Sequence, residues 1–307
     1  MQTAYITHPA CLKHELGAAH PESPARLMAI DDRLIAAGLH DLLQHHEAPR
    51  ASRTQLARVH TLAYLDAIEA AAPAAGVVEV GPDTWMNPFT LEAAQRAAGA
   101  VILATDLVMT RQVENAFCNI RPPGHHASCD RALGLCIYNN VAVGAMHALA
   151  NHGLQRIAIA DFDVHHGNGT EEIFRDDPRV LLCSVFQYPL FPNSGADSGN
   201  DHIVNVALSE GADSTAFRAA LQQDWLPALD AFQPEMIFIS AGFDAHWEDD
   251  IADLSLVETD YVWITQQLLS VAQRWAQNRM VSVLEGGYAL RALGRCAAGH
   301  IKVLSGL

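Results

Sequence analysis

The chain has 307 residues, half of them apolar and 18% charged, which is enough for a large core at the upper size of one domain. Against 19 Lys and Arg stand 35 Asp and Glu, and the formal charge of −16 argues against nucleic acid, whose phosphates need a basic surface. No 18-residue apolar window is present and the first ten residues lack a basic, apolar leader, so no membrane association is expected and the cytoplasm is the expected location.

Six scattered cysteines (Cys11, Cys118, Cys129, Cys136, Cys183, Cys296) without a C-x-x-C read as reduced thiols, not as a disulfide frame or thiolate metal site. In chain order, apolar β-branched runs predict strands at Ala4–Ile6, Leu42–Glu47, Ala116–Ile120, Ile157–Ala160, Val180–Val185, Ile203–Val206, Met236–Ser240 and Met280–Leu284. Alanine- and leucine-rich helical patterns lie between several of them, at Thr90–Thr110, Asn140–Asn151, Ala216–Phe232 and Glu258–Gln277. Strands alternating with helices predict an α/β fold: a mainly parallel eight-stranded sheet covered on both faces, in a single three-layer α/β/α domain over residues 1–307. Ligands of such sheets bind beyond the carboxyl ends of the strands.

The strand at Ile157 runs into Asp161-Phe-Asp163-Val-His165-His166-Gly-Asn168. If the backbone stays extended, Asp161, Asp163 and His165 project to one face. The residues are good zinc ligands, although a strand end leading into a polar loop reads equally well. After the strand at Ala116, Arg121-Pro-Pro-Gly-His125-His126 presents adjacent histidines on a stiffened loop, a pattern for acid/base or metal chemistry. Asp244 follows the strand at Met236, and Glu285-Gly-Gly-Tyr288 follows that at Met280. The latter is either a tight turn with a packing tyrosine or a device that brings a phenol close to a site. Three ligands, two histidines and one phenol fit metal-assisted hydrolysis.

With His20-Pro-Glu-Ser-Pro-Ala-Arg26 near the start, these motifs stand in one order over nearly the whole chain, which resembles zinc-dependent histone deacetylases and bacterial histone-deacetylase-like amidohydrolases, including acetylpolyamine amidohydrolases. The resemblance implies the arginase/deacetylase fold, with zinc on Asp163, His165 and Asp244. It implies His125 held by Asp161, His126 facing Asn168 as in class II-like members, and Tyr288 donating to the polarised carbonyl. It further implies a potassium ion near backbone oxygens of Asp161, Asp163 and His165 and the Ser184 hydroxyl, and Arg26 near an acetate exit channel. A neutral Asn168 should raise the pKa of His126 less than a carboxylate would.

Departures from the family pattern bear on substrate. The usual Gly-Phe-Cys wall of the acyl-lysine tunnel is Gly134-Leu135-Cys136 here, and the facing aromatic is Phe191, so the tunnel should be wider. Ile251 stands where polyamine-specific eukaryotic members carry a glutamate, while Glu248, Asp249 and Asp250 either read a distant amine or form a solvated acidic loop. Asp83 is a further candidate for the substrate rim. The expected activity is deacylation of N-acetyl-lysine-type substrates. Acetylpolyamine hydrolysis is the alternative, and non-catalytic binding of acyl-lysine or polyamines a remote one. His246 raises a binuclear ureohydrolase, but the bridging aspartates are missing. The oligomeric state, homo-oligomers included, is left open.

Overall fold

Strands buried on both faces form the middle of the molecule because their sequences run nearly continuously apolar rather than apolar at every second position. Ten strands are present in the structure, a computed structural model describing residues 2–17 and 20–307: β1 (Thr3–Thr7), β2 (Gln44–Glu47), β3 (Val78–Gly81), β4 (Thr84–Met86), β5 (Asn115–Cys118), β6 (Ile157–Asp161), β7 (Val180–Gln187), β8 (Ile203–Leu208), β9 (Met236–Ala241) and β10 (Met280–Leu284). Eight form one sheet in the order β2-β1-β5-β10-β9-β6-β7-β8. Every neighbouring pair in it is parallel. The predicted strands all occur, with ends shifted by a few residues. β6, β7, β9 and β10 are buried throughout, whereas edge strand β2 alternates between half-buried and exposed positions.

Helices cover both faces, among them Ala25–Ala36, Thr90–Met109, Asn140–His152, Glu258–Trp275 and Leu290–Leu304. One predicted helix is corrected. Residues 216–232 form two helices, Ser214–Gln223 and Trp225–Phe232, with the break at Asp224. Pro227 is the reason: lacking an N–H and crowding the carbonyl four residues back, it is tolerated only in a first turn, so a new helix starts just before it. The hairpin β3–β4, joined at Pro82-Asp83, is an element the periodicity did not single out. No helix among the described residues is long and apolar enough to cross a membrane.

The parallel order decides where the site lies. The loops after β5, β10, β9 and β6 leave the carboxyl edge of four adjacent central strands. These are the loops that carry His125 and His126, Tyr288, Asp244, and Asp163 with His165.

Candidate active site

β6 ends at Asp161, and the chain does not stay extended beyond it. The expectation that alternation along a strand aims Asp161, Asp163 and His165 at one point is therefore corrected. A loop brings them together: Asp161 Oδ1 accepts the Asp163 N–H at 3.1 Å, and Asp163 Oδ1 accepts the His165 N–H at 2.9 Å. Each carboxylate holds the backbone two residues on, as Asp does in tight turns. Asp161 Oδ2 is thereby left to face His125 Nδ1 at 2.9 Å.

Asp163, His165 and Asp244 converge. Their oxygen and nitrogen donors all lie within 4.8 Å of one another. His165 Nδ1 stands 2.9 Å from Asp163 Oδ1 and 3.3 Å from Asp244 Oδ2. The second contact is not a well-aligned hydrogen bond, and Asp244 Oδ2 is buried without a partner. Asp244 Oδ1 accepts the Val164 N–H at 3.0 Å, and Asp163 Oδ2 accepts that of Gly286 at 2.8 Å. A side chain at Gly286 would collide with both carboxylates, so only glycine lets β10's loop pass so close. Burial and the charge of Asp163 push the Asp244 carboxyl up to about 6. Burial also opposes ionisation of Asp163, yet His125 and His165 hold it well below the usual range. The two aspartates in turn raise His165 to about 10 against the effect of burial. Such a pair of crowded carboxylates, with one buried oxygen left without a partner, fits a divalent cation with Asp and His ligands.

Three other groupings of possible ligands already hold a cation of the protein's own. Arg58 donates to His147 beside Asp106 and His152. Arg131 pairs with Glu172 beside Cys129 and Asp130, and Arg295 pairs with Glu248 and Glu258 beside His246. Among the described residues, no Lys or Arg pairs with Asp163 or Asp244.

The histidine rings pack with centroids 4.0 Å apart. Burial works against charge on His125, but Asp161 and Asp163 outweigh it and hold its pKa well above the ordinary value. Burial, then the neighbouring His125 and His165, push His126 well below it. His126 Nδ1 donates to the Asn168 side-chain oxygen at 2.8 Å, which leaves its lone pair on Nε2. The bond to the neutral Asn168 acts to raise the pKa but is outweighed. Glu285, to which the motif alone assigned no role, is the bracket of this loop: it accepts the N–H groups of Gly124 (2.7 Å) and His125 (3.3 Å) and the Ser240 hydroxyl (3.1 Å).

These groups open into a cavity of about 220 Å³ whose walls include Asp83, Gly134, Leu135, Phe191, Ile251 and Tyr288. All the substrate-wall candidates are therefore brought to one place, Cys136 of the predicted wall included, and His20 of the first motif joins them. Leu135 is held at φ +70°, a costly conformation for leucine, by N–H bonds to the Asp83 carbonyl (2.8 Å) and the Thr84 hydroxyl (3.2 Å) of the hairpin. Phe191 stands edge-on to His126, with centroids 5.1 Å apart.

The acidic loop beside Ile251 is neither fully solvated nor free to bind an amine. Glu248 is paired with Arg295, and Asp249 is buried on backbone N–H groups. Asp250 alone of the three is exposed with no side-chain hydrogen bond.

Arg26 does not line the cavity. It lies behind Tyr288 with its guanidinium 4.9 Å from the ring centroid, donating to the Gly287 (2.7 Å) and Glu285 carbonyls and to Glu22. Glu22 also receives Arg121, and all three side chains are fully buried. Burial alone would raise the Glu22 carboxyl, but Arg121, His14 and Arg26 outweigh it and hold it at about 2. A carboxylate with a depressed folded-state pKa contributes stability above its unfolded value and loses that contribution as the pH falls. Glu22→Gln leaves two buried guanidinium groups poorly compensated and is expected to cost about 3–5 kcal/mol at pH 7. In urea titrations the gap from the parent should narrow as the pH falls from about 4.5 toward 2. A variant as stable as the parent at pH 7 refutes this.

The histone deacetylase domain family matches residues 20–304. The histone deacetylase-like amidohydrolase of Pseudomonas aeruginosa is 36% identical, over 100% of this chain and 87% of its own length. A probable deacetylase of Archaeoglobus fulgidus is 35% identical, with the same coverage of each chain. Among solved structures, that of the HDA15 HD domain is 35% identical and superposes with a TM-score of 0.94, covering 99% of this chain and 88% of that one. The chain belongs to the histone deacetylase family, and its class is that of the deacetylases and amidohydrolases.

Proposed function

We propose that the protein is a zinc-dependent deacylase that hydrolyses the amide of N-acetyl-lysine-type substrates to acetate and a free amine. The observation that carries this reading is the convergence of Asp163, His165 and Asp244 beside the His125–His126 pair, with no Lys or Arg paired to either carboxylate among the described residues and Asp244 Oδ2 left without a partner. Asp163, His165 and Asp244 are the residues that would hold the metal. Zinc bound to such a set polarises an acyl carbonyl and lowers the pKa of water from about 16 toward about 7.

The chain's own groups supply the remaining chemistry. His126, with its lone pair on Nε2, takes the proton of the attacking water, and the histidine pair returns a proton to the departing amine. Asp161 and Asn168 fix the orientation of the two rings. The Tyr288 hydroxyl donates to the tetrahedral oxyanion. Leu135 and Phe191 line the path of the aliphatic linker, while Asp83 and Ile251 meet the parts of the substrate outside it. Behind the site, the Ser184 hydroxyl is buried without a hydrogen-bond partner and lies in register with Asp161. It suits a structural potassium ion that also uses carbonyl oxygens of Asp161, Asp163 and His165. Six free thiols accord with a cytoplasmic protein.

Acetylpolyamine hydrolysis is the second reading. Its support is confined to Asp250 and Asp83, because Glu248 and Asp249 are engaged within the protein. The test is kcat/KM of zinc-loaded protein on an acetyl-lysine peptide, free acetyl-lysine, N-acetylputrescine and N8-acetylspermidine. Preference for the peptide or free acetyl-lysine supports the proposal. Preference for the acetylated polyamines reverses the two readings, and one bound zinc without turnover of any acyl amine makes the protein a binder.

A further inference from the structure

Asp249 lies in the segment that runs from Asp244 to the cavity wall at Ile251. Of its neighbours in sequence, Glu248 is half-buried against Arg295 and Asp250 is exposed, but Asp249 is only 5% exposed. Its Oδ2 accepts the backbone N–H groups of Tyr288 at 2.6 Å and Ala289 at 3.0 Å, and its Oδ1 accepts that of Ile251 at 3.3 Å. No Lys or Arg pairs with it among the described residues. A buried carboxylate is costly unless hydrogen bonds replace its water, and here three main-chain donors do so. Two of them belong to the loop that presents the phenol.

Upstream the loop is held at Gly286, whose N–H donates to Asp163 and whose carbonyl accepts the Phe243 N–H at 3.0 Å, but the tyrosine lies beyond that anchor. Tyr288 follows two glycines, and Gly287 sits at φ +119°, where glycine alone turns freely. The phenol hydroxyl lies at the far end of a long side chain, so a small rotation of the Tyr288 backbone carries it by about 1 Å, a displacement that can cost on the order of 100-fold in rate. Arg26 steadies the ring from behind, through its guanidinium and its bond to the Gly287 carbonyl. Only Asp249 grips the Tyr288 N–H itself.

We propose that Asp249 is the positioning residue for Tyr288: its carboxylate anchors the backbone at 288–289, ties it to the cavity wall at Ile251, and so holds the phenol hydroxyl where the oxyanion develops. This rests on the reading of Tyr288 as the oxyanion donor. Asp249 touches neither substrate nor metal.

A double-mutant cycle tests it. Asp249→Ala, Asp249→Asn, Tyr288→Phe and the two double variants are compared for kcat, KM, zinc content and thermal midpoint, with the acetyl-lysine peptide as substrate. Asp249→Ala should lower kcat by about 10- to 100-fold, with KM changed by less than about threefold and one zinc retained. Asp249→Asn should recover most of that loss, because its amide oxygen can still accept both N–H groups; it also carries the test if the alanine variant does not fold. In the Tyr288→Phe background no hydroxyl remains to be positioned, so either Asp249 substitution should cost less than about threefold. Equal fold-losses in both backgrounds overturn the role of Asp249 while leaving Tyr288 as the donor. A loss that follows zinc content or KM alone overturns it as well. Full activity of Tyr288→Phe by itself overturns the donor reading, and the positioning role falls with it.

Discussion

Asp244→Ala is expected to yield protein without stoichiometric zinc and with deacetylation lowered by about 1000-fold or more, since a metal that polarises an acyl group contributes several kcal/mol to the barrier. The partnerless Asp244 Oδ2 is the oxygen free to take a cation, and its loss leaves Asp163 and His165 as two of the three proposed ligands. The substitution also strips the buried Val164 N–H of its acceptor, at a further cost of about 1–3 kcal/mol in stability. Asp244→Asn separates the two effects: its amide oxygen keeps the Val164 bond and the fold, while the lost charge weakens metal binding. Zinc analysis of the purified variants, alongside kcat on the acetyl-lysine peptide, reads both. An alanine variant that holds one zinc and turns over normally removes Asp244 from the ligand set.

Tyr288→Phe carries the second large effect. It deletes one hydroxyl and leaves the ring beneath Arg26, so the fold and the zinc content should not change. Loss of one oxyanion donor costs about 100- to 1000-fold in kcat in comparable sites, about 3–4 kcal/mol. KM should move by only a few-fold, because the bond forms in the transition state and not in the bound ground state. Burial keeps the Tyr288 phenol well above its ordinary pKa, hence protonated and able to donate throughout the working range. A rise in KM with kcat unchanged would place the hydroxyl on substrate binding instead.

The neutral partner of His126 shows how far residue type alone can be read. Asn168 stands seven residues beyond the end of β6, and its meeting with His126 depends on a turn through Gly167 that periodicity does not describe. The motif order nonetheless marked the pair, as it marked His125 with Asp161. Asp249 is the opposite case. In the sequence it is the middle member of an acidic run, which reads as a solvated loop or an amine reader. Only the approach of β10's loop gives it the Tyr288 N–H to accept. Glu285 and Glu22 are similar: the motifs contain them, but the grip of Glu285 on Gly124 and the pairing of Glu22 with Arg121 arise from contacts across more than 90 positions of chain.

The amino-acid sequence by itself determined the parallel sheet, since runs of β-branched residues without alternation must be buried on both faces, and it determined which residue types crowd the strand ends. It did not determine that β5, β10, β9 and β6 would be neighbours, nor that Asp163 and His165 would reach one point through a loop instead of an extended strand. Strand order and loop approach come from packing between segments distant along the chain. Local propensity and spacing carry no record of those contacts, so which carboxylate is left without a partner, which histidine has its pKa lowered and which aspartate accepts the tyrosine N–H were decided by the tertiary structure.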